Sequence, residues 1–126
     1  HARICTLLRA ASAAGHVPEL PADWTADSVD FSLLTDPRES ELLAALGEFP
    51  RIVAFAAEVR EPHRIARYLE DLGGLYHRFY DACRVLPPAG EPVSPLGLAR
   101  LWLCAAARQV LANGLDVLGV SAPETM

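Results

Sequence analysis

Residues 61–86 read EPHRIARYLEDLGGLYHRFYDACRVL, and the spacing of their apolar side chains decides the fold. Ile65, Leu69, Leu72, Tyr76, Phe79, Cys83 and Leu86 recur at alternating steps of four and three, which keeps side chains on one seam of an α-helix. The pattern predicts one long helix whose seam is core. Rotated off that seam lies a second row, Gly73, His77, Tyr80 and Arg84, made of residue types that bind rather than fill. The reading adopted is that this row faces nucleic acid. The plainer alternative is a solvated edge with a tyrosine lapping over the core. Gly73 and Gly74 each weaken a helix by about 1 kcal/mol relative to alanine, so close approach by another helix or by RNA is their expected use.

Upstream, proline marks the helix starts, where its missing amide hydrogen costs nothing. Asp36-Pro37-Arg38-Glu39 supplies a cap, a proline at the first helical position and a glutamate three beyond the cap, a reciprocal capping signature. That helix should run through Leu42, Leu43 and Leu46 to Gly47. Pro50 opens the next, with Ile52, Val53, Phe55, Ala56 and Val59 inward, and Pro62 opens the long one. Downstream, residues 87–92 (PPAGEP) form a surface connection, after which Ser94 caps and Pro95 opens a last helix to about Leu118,. Its seam reads Leu101, Cys104, Arg108, Leu111, Leu115 and Leu118. Breaking a buried ion pair costs roughly 3–5 kcal/mol, so Arg108 on this inward seam is expected to be a structural buried charge held by Asp71, Asp81 or Glu58, with RNA contact as the alternative reading.

At the other end, Ile4, Leu7, Leu8 and Ala11 share a helical face that Gly15 and Pro18 stop,. Residues 15–35 follow as a loop-rich connection, with a short strand or turn around residues 29–33 and with Trp24 and Phe31 pinning it to the bundle. The pattern predicts an all-α, mostly antiparallel bundle of about five helices, a single domain over residues 1–126.

With 52% hydrophobic residues and no apolar run near the roughly 20 residues that a bilayer needs, the chain is expected to be soluble. No targeting segment is visible in HARICTLLRAASAAG,. Cys5, Cys83 and Cys104 make an odd count without a close pair, which fits reduced thiols in a cytoplasmic protein rather than a disulfide or metal framework. Net charge is −5, unevenly placed: from Glu19 to Glu48 eight acids face Arg38 alone, whereas from Phe49 onward eight arginines balance eight acids. All basic residues are arginine, which contacts phosphate and stacks on bases. Neutral balance predicts few phosphate neutralisations and weak stand-alone binding. Catalysis finds little support, since there is no glycine-rich phosphate loop and no nucleophile with a convincing base,.

Three stretches carry a family resemblance: PHRIARYLEDLGGLYHRFYDACRVL, then LARLWLCAAARQVLANGLDVLGVSAPETM, and the opening HARICTLLR. They resemble the C-terminal, DALR-type anticodon-binding domain of arginyl-tRNA synthetases, whose chains end LG(V/I/L)-x-x-P-E-R-M. The resemblance implies an all-α bundle that holds the anticodon loop of arginine tRNA, with Tyr80 on a family tyrosine and Met126 on the terminal methionine. His77, Arg84 and Tyr76, near Tyr80 by spacing, complete the expected binding set. Thr125 stands where the family has arginine, removing a cation beside Met126, and the tyrosines that usually precede the first helix are missing. The catalytic domain is missing too, so the chain is expected to be an excised domain or a free-standing relative. By resemblance, the parent protein is an arginine–tRNA ligase whose catalytic domain uses ATP. The chain itself is expected to hold no cofactor or metal and to bind neither DNA nor membrane. The competing reading is a detached helical module that holds a protein partner without tRNA.

Overall fold

In the computed structural model, which describes residues 29–85 and 91–119, Asp36 starts a helix as its local sequence dictates. Its carboxylate accepts the Arg38 amide hydrogen at 2.8 Å, while Glu39 Oε1 accepts the Asp36 amide hydrogen at 3.0 Å. With Pro37 at the first position, this box fixes α1, Pro37–Gly47, by satisfying amides that no helical carbonyl can reach. Helix α2, Phe49–Val59, follows Glu48 and stops at Arg60, whose left-handed φ of 57° breaks the helical course. The chain turns through Pro62 into α3, His63–Ala82, and later enters α4, Pro95–Val117. Ser94 Oγ accepts the Gly97 amide hydrogen at 3.0 Å and caps α4. Ahead of α1 the backbone forms a short 3-10 turn, Phe31–Leu33, and Phe31 meets Trp102 edge-on at 6.4 Å.

The described residues thus form an all-α bundle of four helices without strands. The helix expected over residues 1–14, together with Trp24 and the terminal tail, lies outside the described residues.

The α3 seam is core: Ile65, Leu69, Leu72, Tyr76 and Phe79 are all buried. Against it α4 runs antiparallel, with Gly114 beside Leu69 and Cys104 beside Tyr76. A Cβ at Gly114 would come within 2.5 Å of Leu69 Cδ2, so Gly114 is where a missing side chain lets the two helices close up. At Gly74 a Cβ would meet nothing nearer than Arg78 Nη1 at 3.5 Å, an ordinary contact. Tyr68 ties α3 to α1, its hydroxyl donating to the Ala45 carbonyl at 2.6 Å and its ring stacking on Phe49 at 5.8 Å.

Two expectations are corrected. Helix α3 ends at Ala82 rather than running to Leu86, because Cys83 adopts extended backbone, φ −117° and ψ 122°. Arg108, expected in the core, is exposed, and its neighbour Ala107 is buried instead. The reason is packing distance: α4 turns its small side chains, Gly97, Ala99, Ala107 and Gly114, toward the bundle, and an arginine would hold the helices apart. The arginine that does enter the core is Arg100. Its Nε donates to Glu39 Oε2 at 2.7 Å, and one terminal nitrogen donates to the Arg84 carbonyl at 2.8 Å. Glu39 is only 1% exposed, so one carboxylate caps α1 with one oxygen and anchors α4 with the other.

Candidate nucleic-acid interface

The site grows from the second half of α3, where four aromatic rings fall within two turns. Tyr76 lies inward, and Phe79 packs beside it at 6.4 Å. Tyr80, 40% exposed, lies over Tyr76 with ring centroids 5.9 Å apart and planes inclined at 34°. His77, also exposed, approaches Tyr76 edge-on at 6.2 Å. A buried ring therefore supports two exposed ones. Helical side chains lean toward their own N-terminus, which is why Tyr80 covers Tyr76 rather than extending past the helix end.

Tyr76 itself was expected among the contact residues, and the structure corrects this. At 2% exposure its ring is covered by the bundle and cannot receive a base. Its buried hydroxyl has no hydrogen-bond partner among the described residues and lies beside the Cys104 thiol. Burial raises its pKa well above the ordinary tyrosine range, and the Cys104 thiol adds to this, while the Arg108 guanidinium pulls the other way. Burial likewise pushes the Cys104 thiol up to about 12. Both groups are therefore neutral fillers at physiological pH rather than acids or nucleophiles.

Arg84 is exposed, but it lies two residues beyond the end of α3 and off the helical row, with its carbonyl held by Arg100. Gly73 is buried, so the exposed row reduces to His77 and Tyr80. Met126 and Thr125 fall outside the described residues. Arg108, for which the seam position favours the buried role over RNA contact, is a surface cation on α4 near the Tyr76 hydroxyl. The signal that could have found it was the Ala105–Ala107 run beside it, since small residues mark the face that a neighbouring helix approaches.

Two hollows lie on the α2 side of α3, away from this platform. One, of about 280 Å³, is lined mainly by Val53, Ala56, Ala57, Ile65 and Val117. The other, of about 210 Å³, includes Phe55, Arg64 and Asp71, with the Arg64 guanidinium 5.0 Å over the Phe55 ring. The first is mostly apolar, and in the second Arg64 is already paired with Glu61, while Arg67 and Asp71 stand at its wall with no serine, cysteine or histidine nucleophile among its lining residues.

An aromatic plane on a helical bundle has many uses, and comparison with known proteins narrows them. Residues 1–126 match the DALR anticodon binding domain. The chain belongs to that family. This DALR domain is 60% identical over 126 residues to the arginine–tRNA ligase of Frankia alni, and 57% identical to that of Kineococcus radiotolerans. Each alignment covers 100% of the domain and 22% of the relative, so the chain spans about a fifth of those proteins. Among solved structures it is similar to Thermus thermophilus arginyl-tRNA synthetase, at 35% identity and a TM-score of 0.70. The match covers 99% of the domain and 21% of that chain. The Plasmodium falciparum arginyl-tRNA synthetase shares the fold, with 24% identity, a TM-score of 0.73 and the same coverage. No helix among the described residues is long and apolar enough to cross a membrane.

Proposed function

We propose that this DALR domain recognises the anticodon loop of arginine tRNA and serves an arginine–tRNA ligase whose ATP-using catalytic domain lies elsewhere in the parent protein. The observation that carries the reading is Tyr80: an exposed aromatic plane on a buried support, in a chain that matches an anticodon-binding family along its whole length. Single-stranded RNA is read by laying unstacked bases on aromatic planes, each stack contributing about 1–3 kcal/mol. Tyr80 supplies such a plane and His77 a second stacking or hydrogen-bonding group beside it, while Met126 enters through the family resemblance alone and Arg84 as an exposed cation beyond the helix end. The protein works in the cytoplasm, where its tRNA is.

The deciding experiment titrates the domain with arginine tRNA and with transcripts carrying substituted anticodons. Binding should weaken for the substituted transcripts, and Tyr80→Ala should erase the difference while leaving the melting temperature nearly unchanged. Equal affinity of the unaltered domain for all transcripts would overturn base recognition.

A further inference from the structure

The geometry points to Arg108 as a phosphate-binding residue of the same RNA site, reaching from α4 toward the backbone of the nucleotide whose base lies on Tyr80. This rests on the anticodon-binding reading and adds a residue on a different helix.

Three observations support it. First, α3 and α4 are antiparallel, and each side chain leans toward the start of its own helix. Tyr80 leans back over Tyr76, as their 5.9 Å ring separation records. Arg108 stands one turn beyond Cys104 on α4, close enough for its charge to act on the Tyr76 hydroxyl, and Cys104 is the α4 residue beside Tyr76. Tyr80 and Arg108 thus converge from opposite helices on the level of one buried ring.

Second, Arg108 is uncommitted. Arg38, Arg51, Arg64 and Arg100 each pair with a glutamate, whereas Arg108, like Arg60, Arg67 and Arg78, is exposed and enters no hydrogen bond or ion pair with the described residues, and of these four it is the one whose charge acts on the Tyr76 hydroxyl. A planar guanidinium that is always charged and presents several donors is suited to phosphate oxygens.

Third, a base on an aromatic plane carries its phosphates at the edge of that plane, where a cation from the neighbouring helix can meet them. An arginine there fixes backbone position without reading sequence. It should therefore raise affinity equally for every anticodon.

The test measures binding of the arginine tRNA anticodon stem–loop by fluorescence anisotropy across a salt series, for the unaltered chain and for Arg108→Gln, Arg108→Lys and Tyr80→Ala. Arg108→Gln should weaken binding about ten-fold at low salt and reduce the slope of log affinity against log salt by about 0.7–1. That loss should be the same for anticodon-substituted loops, and Arg108→Lys should restore the slope. Circular dichroism melting should be unchanged, since the side chain is exposed. If Arg108→Gln leaves affinity and salt slope intact while Tyr80→Ala abolishes discrimination, Arg108 has no such role and anticodon recognition stands. If the unaltered chain binds no stem–loop even at low salt, both readings fall together.

Discussion

Arg100 and Arg108 lie on one helix, about 12 Å apart along its axis at the standard rise, and meet opposite fates. Arg100 is drawn into the bundle by Glu39 and by the Arg84 carbonyl, tying the start of α1 to α4 and to the strand-like exit from α3. Arg108 stays at the surface near the Tyr76–Tyr80 pair, with no acid among the described residues to hold it. The same side chain becomes a structural bolt or a free cation according to what waits across the helix interface. The position on the helix wheel does not settle the matter.

The largest effect should come from breaking the Arg100 node. Glu39→Ala removes the reciprocal cap of α1 and leaves a guanidinium without its carboxylate, so urea denaturation should show a loss of about 3–5 kcal/mol, whereas Glu39→Gln keeps part of the cap and should cost less. Next comes the aromatic pair at the end of α3: Phe79→Ala should destabilise by roughly 3–5 kcal/mol, while Tyr80→Ala should cost much less, because Phe79 is 0% and Tyr80 is 40% exposed. If the two losses prove equal, the division of α3 into a core face and a binding face is wrong.

The buried thiol between the two arginines offers a pH test. Cys104 stays protonated up to about 12 when folded, against 9.0 in the unfolded chain. Above about pH 9 the unfolded state therefore loses a proton that the folded state keeps, and unfolding is favoured. Stability should be complete below that pH and fall by about 1.4 kcal/mol per unit as pH rises toward 12. In Cys104→Ala the decline should be shallower, the remainder coming from Cys83, whose thiol pKa is also raised by burial, and above about pH 10 from Tyr68 and Tyr76,. A smaller effect is expected at the close approach of the helices: Gly114→Ala gains about 1 kcal/mol of helix propensity but forces Leu69, which is fully buried, to move. Overpacking costs about 1–3 kcal/mol, so the unfolding free energy from urea denaturation should fall by about 1 kcal/mol. The smallest is Arg108→Gln, which should change stability by less than about 0.5 kcal/mol. A larger loss would return Arg108 to the structural role that its seam position first suggested.

Much of the candidate site was legible before any coordinates. Tyr80 and His77 were picked out by stepping off the apolar seam, and both are exposed beside a buried Tyr76. Arg84 was carried along by the same stepping and fell off the row, because periodicity cannot announce that Cys83 will turn extended. Glu39 was read correctly as a capping glutamate, but its second oxygen belongs to an arginine 61 residues away. No local pattern encodes such a pairing.

The sequence by itself determined the helices of the described chain, their capped starts at Asp36 and Ser94, and the inward seam of α3. These follow from interactions within a turn or two: side-chain periodicity, proline geometry, and polar side chains meeting free amides. Tertiary structure alone decided that Arg100 rather than Arg108 reaches the buried Glu39, that Gly114 rather than Gly74 admits a neighbour, and that α3 stops at Ala82. Neighbouring positions on a helix differ by about 100°, so the rotation of α4 about its own axis decides whether Ala107 or Arg108 faces the bundle. That rotation is set by how closely another helix can approach and by which distant carboxylate is there to meet a charge.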